Sequence, residues 1–453
     1  MKKNTRVVGS AMAALALSIG MMATPPAALA QQDPSSLSEL SSLSSGSSAV
    51  DGLSSTSSEL DGSSAADTGA VMDDVEEPDP VYRSGLPNVT PQGEPGTVLA
   101  EVPLDQRVGL DSASEQYRIA YTTVNQHDQP AVSTGAVFLP EGEKPEGGWP
   151  VLAWAHGTVG LADECAPSIN PLSQVEADYL NTFLDEGYAI VASDYVGLDS
   201  PGFHSYLNGK VAAENVVDSV AAAHNMEIPQ DSEPVFADKW SVIGQSQGGG
   251  VSLHVARQAT GLSEDMGLDY RGAVATGAPA YVENLMVAAG PTFPRTPQTG
   301  ISATYSLYIL AAVQEANPDV DFDSALTDEG RRMIAESKKS CLFEVAEAMN
   351  GVSLAKAFNK PLREVPGADA AIRDFLTTPV SGYDKPVFLG HGLWDWDVPT
   401  PIGMVLNSEI WARQFIGNPR NNRVVVRWYP ADHVDTMLIS TRDSVPFLAG
   451  IMS

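Results

Sequence analysis

The sequence predicts an α/β fold with a mostly parallel, doubly wound sheet and a helical insertion. Three observations lead to this prediction. From about Pro91 to Ser453, short apolar runs alternate with segments of helical periodicity, which is the order expected for parallel strands joined by helices. A G-x-S-x-G sequence, Gly244 to Gly248, lies between one apolar run and one helical segment. Residues 281–383 then show helical periodicity without a convincing core strand.

The first thirty residues have the features of a secretory signal peptide. Lys2, Lys3 and Arg6 precede a short, largely apolar stretch, and an A-L-A sequence ends at Ala30. We expect cleavage after Ala30 and a secreted protein, extracellular or associated with the cell wall. An N-terminal membrane anchor is the less favoured alternative, because the apolar stretch is short and interrupted by serine and glycine.

Residues 31–85 have a different composition, dominated by serine and poor in apolar side chains. Such a segment cannot bury enough apolar area to offset its chain entropy. The sequence therefore predicts a disordered linker at 31–85, followed by a catalytic domain at 86–453.

The chain is strongly acidic, with a formal net charge of −31 at pH 7. A surface of this sign repels nucleic acid and anionic lipid head groups, so contact with lipid must depend on apolar side chains. We therefore exclude a nucleic-acid partner. Nothing in the sequence indicates an obligate protein partner.

The first predicted elements of the domain come before the G-x-S-x-G sequence. Strands are predicted at Ala136–Leu139 and Val151–Ala155, the second of them buried because it is apolar throughout. Ser173 and Glu176 form a capping box that begins a helix, and Gly187 ends it.

The remaining predicted elements continue the alternation. Strands are predicted at Ala189–Ser193, Trp240–Gly244, Ala273–Thr276, Pro386–Gly390 and Arg423–Trp428, and helices at Val211–Ala223 and Val251–Ala259. The helical periodicity of 281–383, as in Met333 to Ala348, separates two core strands. An insertion at this place predicts a cap over the active site, with a separate helical domain as the alternative.

Ser246 is the candidate nucleophile, because its setting is that of a nucleophile elbow. A serine on so tight a strand-to-helix turn needs small neighbours, and Gly244 and Gly248 remove the Cβ atoms that would collide. On this kind of sheet the acid and the histidine follow the serine along the chain.

The acid is predicted in the run from His391 to Pro399, which directly follows a predicted strand. Its H-G-x-x-D-x-x-V-P pattern places Asp395 on a tight turn, and Asp397 is the second choice. We interpret His391 as a structural residue at the end of the strand.

His433 is the candidate base, because it is the one remaining histidine after Asp395 in the chain and follows the last predicted strand. We expect His433 to accept the proton of Ser246 while Asp395 orients the imidazole. Asp432 and Asp435 flank His433 and are interpreted as solvated loop carboxylates.

The oxyanion hole is predicted to use two backbone N–H groups. One belongs to Gln247, directly after the nucleophile. The other is expected in the H-G-T turn after the Val151–Ala155 strand, at Thr158 with Gly157 as the alternative. His156 precedes the serine and is interpreted as a residue that braces the loop.

Cys165 and Cys341 are the only cysteines, and in a secreted chain they favour one disulfide. The bond would close a loop of about 175 residues, worth roughly 5 kcal/mol by chain entropy. Two free buried thiols are the alternative. No histidine or cysteine spacing supports a metal site at this pair.

Four motifs in order resemble the secretory lipase family: Ala155–Thr158, Ser193–Leu198, Gly244–Gly249 and the run that ends at Pro399. The likeness covers about Pro91 to the C-terminus. Members of that family are similar to Candida lipase A and include secreted actinobacterial lipases. The resemblance implies an α/β-hydrolase with a helical cap that cleaves carboxylic esters and triacylglycerols without a cofactor.

The leading hypothesis is therefore a secreted serine lipase or esterase that acts on a lipid or another ester and contacts a lipid interface transiently. Apolar residues of the insertion, Tyr305 and the run Leu307 to Leu310, line an acyl tunnel or form the core of the cap. A peptidase or an acyltransferase on the same fold is one alternative. A non-catalytic, wall-tethered binding protein is another.

Overall fold

The computed structural model describes residues 82, 83, 85–228, 234–294, 298–417 and 423–453. The predicted signal peptide and nearly all of the predicted Ser-rich linker lie outside the described residues. Within those residues, every helix is too short or too polar to cross a membrane.

The described residues form one nine-stranded sheet with the order β1-β2-β3-β5-β4-β6-β7-β8-β9. The first three pairings, up to β3 with β5, are antiparallel, and the other five are parallel. This confirms the predicted mostly parallel α/β sheet. The strands are β1 (Val98–Pro103), β2 (Ala113–Val124), β3 (Pro130–Pro140), β4 (Trp149–Ala155), β5 (Ala189–Ser193), β6 (Phe236–Gln245), β7 (Asp269–Thr276), β8 (Val387–Gly392) and β9 (Val424–Tyr429).

The sequence interpretation missed β1, β2 and the first half of β3. The two strands β2 and β3 pair antiparallel over almost their whole length, and the early part of β2 is exposed or half-buried. Polar residues such as Glu115 and Gln116 interrupt the apolar signal there. A strand with an exposed part lacks the continuous apolar run that identifies a strand buried on both faces.

Helices cover both faces of the sheet. Side chains of α2, α3 and α9 pack into the core on one face, and side chains of α1 and α11 pack into the core on the other. The capping box of Ser173 and Glu176 is present at the start of α1. The helices of the described chain are α1 (Gln174–Asp185), α2 (Gly209–His224), α3 (Gln247–Met266), α4 (Val282–Ala288), α5 (Gly300–Ala316), α6 (Asp328–Ser337), α7 (Leu342–Ala348), α8 (Ala368–Leu376), α9 (Thr400–Gly417), α10 (Asp435–Ile439) and α11 (Thr441–Met452).

The chain between β7 and β8 contains α4 to α8 and has a hydrophobic core of its own. The periodicity from Met333 to Ala348 belongs to two helices, α6 and α7, rather than one. Cys341 interrupts it, because this residue is bonded to Cys165 and its backbone bridges Gly160. A long-range covalent contact therefore ends a pattern that would otherwise continue.

Candidate active site

Ser246 lies on a strained turn between β6 and α3, with φ 57° and ψ −121°. A Cβ on Gly248 would lie 1.7 Å from the backbone oxygen of Ala155, and one on Gly244 would lie 2.2 Å from the oxygen of Gly248. Glycine is therefore required at both positions by close backbone approach. The strand, turn and helix predicted around Ser246 are all present.

The structure brings Asp395 and His433 together, although 38 residues separate them. Oδ2 of Asp395 lies 2.7 Å from Nδ1 of His433, and both side chains are buried. The Val398 amide donates to the other carboxylate oxygen of Asp395 at 2.8 Å. Asp397 is exposed, so of the two candidate acids Asp395 is the one that contacts the histidine.

His391 is buried at the end of β8, and its Nε2 lies 3.1 Å from the carbonyl oxygen of Val398. Burial lowers the pKa of this imidazole, and the nearby Asp395 opposes that effect. A Cβ on Gly403 would lie 2.2 Å from the ring, so α9 packs directly against it. These contacts agree with a structural role for His391 in the turn that carries Asp395.

Gln245 connects the histidine loop to the elbow, a role that the sequence interpretation missed. Its side-chain amide donates to the backbone oxygen of His433, and Gln245 is the neighbour of Ser246 in the chain. On the other side, Nε2 of His433 is buried and has no hydrogen-bond partner among the described residues. A neutral Nε2 is a proton acceptor, and it remains available for a hydroxyl.

The H-G-T turn lies beside the elbow. A Cβ on Gly157 would lie 3.8 Å from the Cβ of Ser246. Thr158 follows in the same turn, and Gln247 is the first residue of α3, buried next to the nucleophile. His156 is buried, with Nε2 3.1 Å from the backbone oxygen of Asp194, which agrees with a residue that braces the loop.

Asp432 and Asp435 are both exposed and do not contact the imidazole of His433 in any hydrogen bond of the described chain. The carboxylate of Asp432 instead accepts the amide hydrogen of Asp435 at 2.9 Å, at the start of α10. Their interpretation as solvent-facing loop carboxylates fits this geometry.

The predicted disulfide between Cys165 and Cys341 is present, with a Cα–Cα distance of 5.4 Å. It joins the segment after the H-G-T turn to the start of α7. Two backbone contacts lie beside it: Gly160 bridges Cys341, and the amide of Leu342 donates to the oxygen of Val159 at 2.8 Å. The helical insertion is thus attached to the chain that continues from the predicted oxyanion loop.

Large apolar side chains are exposed around the Asp395–His433 pair, a feature that sequence patterns did not reveal. Trp394 and Trp396 flank the acid and are 60% and 87% exposed. Leu393 and Val434, next to the same two loops, are 42% and 50% exposed. Exposed apolar residues clustered at one place often mark a contact surface.

The family comparison covers part of the chain, including Ser246 but neither Asp395 nor His433. Residues 167–376 match the model of the secretory lipase family. The match confirms the resemblance found in the sequence and the predicted enzyme class, a carboxylic ester hydrolase. A search of the curated proteins found no match.

Solved structures share the fold at low sequence identity. Candida antarctica lipase A in its closed state is 19% identical over 79% of this chain and 82% of that chain, with a TM-score of 0.62. The rice cell wall degrading esterase LipA from Xanthomonas oryzae, in a ligand-bound form, is 17% identical over 78% of this chain and 98% of that chain, with a TM-score of 0.59. A putative hydrolase from Legionella pneumophila is 19% identical over 78% of this chain and 98% of that chain, with a TM-score of 0.60. These likenesses show the α/β-hydrolase fold.

Proposed function

We propose that this chain, a carboxylic ester hydrolase that matches the secretory lipase family, cleaves its substrate through a covalent acyl-enzyme on Ser246. The contacts of His433 are the observation that supports the proposal. Nδ1 of His433 contacts Asp395, its Nε2 has no partner among the described residues, and Gln245 ties its loop to the elbow of Ser246.

The reaction follows from these positions. Nε2 of His433 takes the proton of Ser246 Oγ as the oxygen attacks the ester carbonyl, and Asp395 stabilises the imidazolium. The backbone N–H groups of Gln247 and Thr158 hold the oxyanion of the tetrahedral intermediate. When the intermediate collapses, His433 protonates the departing alcohol. The same histidine then activates a water molecule, which releases the acid and restores Ser246.

We propose that residues 281–383 form a cap above this site. Three contacts with the insertion support the proposal: the disulfide at Cys341, the backbone bond from Leu342, and the packing of Tyr308 on Tyr206 with ring centroids 5.6 Å apart. All three join the insertion to chain near the H-G-T turn.

The candidate tunnel residues have two different settings, and Tyr305 is half-buried. The run Leu307 to Leu310 is buried and belongs to the core of the insertion, which favours the cap-core interpretation for these residues. A cavity of about 100 Å³ lies beside it, bounded by Leu307, Leu310, Met286 and Phe358. We propose that this apolar space receives the end of an acyl chain.

A lipid substrate is favoured by the exposed tryptophans beside the acid. Indole rings settle at the boundary between apolar and polar phases. The acidic charge of the chain opposes binding to anionic surfaces, so we propose transient contact with an uncharged lipid surface. Together with the N-terminal sequence this supports a secreted lipase.

The nucleophile is tested with a fluorophosphonate probe followed by peptide mass spectrometry. We expect the label on Ser246 in folded protein, no label at that position in heat-unfolded protein, and no activity above background for Ser246→Ala. A folded protein whose Ser246 peptide stays unlabelled would rule out the acyl-enzyme.

The substrate class is tested with esters of rising acyl length, dissolved and emulsified, and with an amide of the same acyl group. A lipase prefers the emulsified long-chain ester, whereas amide cleavage would favour the peptidase alternative. Trp396→Ser should lower activity on the emulsion about tenfold and leave the dissolved short-chain ester unchanged. Equal loss on both substrates would contradict contact with the lipid surface.

A further inference from the structure

Two side chains of one short segment contact the two residues predicted to form the oxyanion hole. His204 contacts Gln247, and Tyr206 contacts Thr158. The segment lies in the loop between β5 and α2, and both side chains are buried. Neither residue belongs to the elbow, the acid turn or the histidine loop.

Tyr206 holds the H-G-T turn through a hydroxyl pair. Its hydroxyl lies 2.8 Å from Oγ1 of Thr158. The turn lies beyond the end of β4, so the sheet does not fix its backbone. Tyr206 is buried and Thr158 is half-buried, so loss of this hydrogen bond would leave a shielded polar atom unsatisfied. Tyr206 therefore restrains the side chain of Thr158 within this turn.

His204 holds Gln247 in a similar way. Nε2 of the imidazole lies 3.2 Å from Nε2 of the Gln247 amide, and because the amide donates, the imidazole nitrogen accepts. The other ring nitrogen lies 3.4 Å from the backbone oxygen of Val196. Burial lowers the pKa of His204 to about 3, so at neutral pH Nδ1 carries the hydrogen towards Val196 and Nε2 stays an acceptor for Gln247.

Ring contacts fix the segment itself. His204 is nearly parallel to Tyr195 at 5.9 Å, and Tyr195 stacks on His156 of the H-G-T turn at 4.2 Å. Tyr206 meets Tyr308 of α5 edge to face. A side chain that is packed on several sides can impose its position on its hydrogen-bond partner.

We propose that His204 and Tyr206 are positioning residues that hold the two oxyanion donors, His204 through Gln247 and Tyr206 through Thr158. This inference rests on the proposed function of Ser246. A donor stabilises the transition state only when it points at the developing oxyanion, so a small displacement lowers kcat more than it affects binding of the ground state.

The Tyr206 contact is tested by removing one oxygen at a time. We expect Tyr206→Phe and Thr158→Val each to lower kcat about tenfold with KM within about twofold, and Thr158→Ser to keep most of the activity. The double variant should be no slower than either single variant, because both remove the same hydrogen bond. Tyr308→Phe is the matched control, since its buried hydroxyl has no hydrogen-bond partner among the described residues.

The His204 contact is tested by His204→Leu, which removes the acceptor, and by His204→Gln, which supplies another. We expect about a tenfold loss of kcat for His204→Leu and partial recovery for His204→Gln. Gln247→Met keeps the backbone donor but loses the side-chain anchor. Its kcat should match that of His204→Leu, and combining the two substitutions should lower kcat no further.

The rate of Ser246 labelling by a fluorophosphonate is the second readout, since the phosphonyl oxygen occupies the same hole. It should fall in parallel with kcat, while complete final labelling shows that each variant is folded. Wild-type kcat in Tyr206→Phe and His204→Leu, with Ser246 still labelled, would overturn the positioning role and leave the acyl-enzyme intact. Additive losses in the double variants would also overturn it. An unlabelled wild-type Ser246 would instead contradict the proposed function.

Discussion

Asp395 contacts His433 through one carboxylate oxygen and its own turn through the other. Oδ2 lies 2.7 Å from Nδ1 of the histidine, and Oδ1 accepts the amide hydrogen of Val398 at 2.8 Å. The same carboxylate thus shapes the H-G-x-x-D-x-x-V-P turn and sets the orientation of the imidazole. An amide at this position would supply a single acceptor for two donors.

Asp395→Asn is therefore expected to lower kcat about 10³–10⁴-fold, because it favours the wrong imidazole tautomer for accepting a proton from Ser246. The measurement is kcat on a dissolved short-chain ester. Asp397→Asn, two residues away and exposed, serves as the control and should stay within about twofold of wild type. Full activity in Asp395→Asn with loss in Asp397→Asn would reverse the assignment of the acid.

Gly248→Ala should destabilise the fold by more than about 3 kcal/mol, because the added Cβ would lie 1.7 Å from the backbone oxygen of Ala155. Gly261→Ala in the same helix is the matched control, since a Cβ there meets nothing within 4 Å. The free energy of unfolding of Gly261→Ala should rise by about 0.5–1 kcal/mol, because alanine has the higher helix propensity. Urea denaturation measures both. Equal stability of the two variants would show that the elbow is less tight than described.

Replacing both cysteines, Cys165→Ser with Cys341→Ser, should lower the free energy of unfolding by about 4–5 kcal/mol. The bond spans 176 residues and restricts the unfolded chain. Urea denaturation of wild type with and without reductant should show the same difference, whereas reductant should not affect the double variant. A change below about 1 kcal/mol would contradict a stabilising role.

Asp218 should make stability fall as the pH rises towards neutrality. This carboxyl is buried in α2, accepts a hydrogen bond from Thr123, and has its pKa raised by burial from 3.8 to about 7. A raised pKa means that the folded state binds the proton more tightly, so the stabilisation is complete below about pH 4 and is lost as the pH rises through 7.

Asp218→Asn keeps an acceptor for Thr123 and cannot ionise. We expect its free energy of unfolding to exceed that of wild type by about 3–4 kcal/mol at pH 8 and to approach that of wild type at pH 4. Urea denaturation across this pH range is the measurement, with the exposed Asp185→Asn as the control. A constant difference between Asp218→Asn and wild type at all pH values would contradict the raised pKa.

Most of the sequence prediction was based on contiguous motifs. The elbow was predictable because the two glycines and Ser246 act within five residues, and the capping box of α1 because Ser173 and Glu176 are three residues apart. Strands β4 to β8 were recognisable since burial on both faces requires apolar side chains in sequence, and β9, at the edge of the sheet, was recognisable from the run Val424 to Val426. Strands β1 and β2 were missed because their exposed positions allow polar residues.

Helix α9 was missed for a related reason. Its exposed face carries Met404, Val405 and Ile416, so the polar side expected of a surface helix is weak. The break between α6 and α7 depends on Cys341, whose bonded partner lies in a different part of the chain. Neither feature can be predicted from the local periodicity of the sequence.

The sequence alone determined the α/β class, the candidate nucleophile, a short choice of acids and one histidine, because each depends on neighbouring residues or on chain order. Only the tertiary structure decided that Asp395 rather than Asp397 contacts His433, that Gln245 ties this histidine to the elbow, and that one segment reaches both Thr158 and Gln247. The physical reason is that hydrogen bonds act over about 3 Å in space, without regard to separation along the chain.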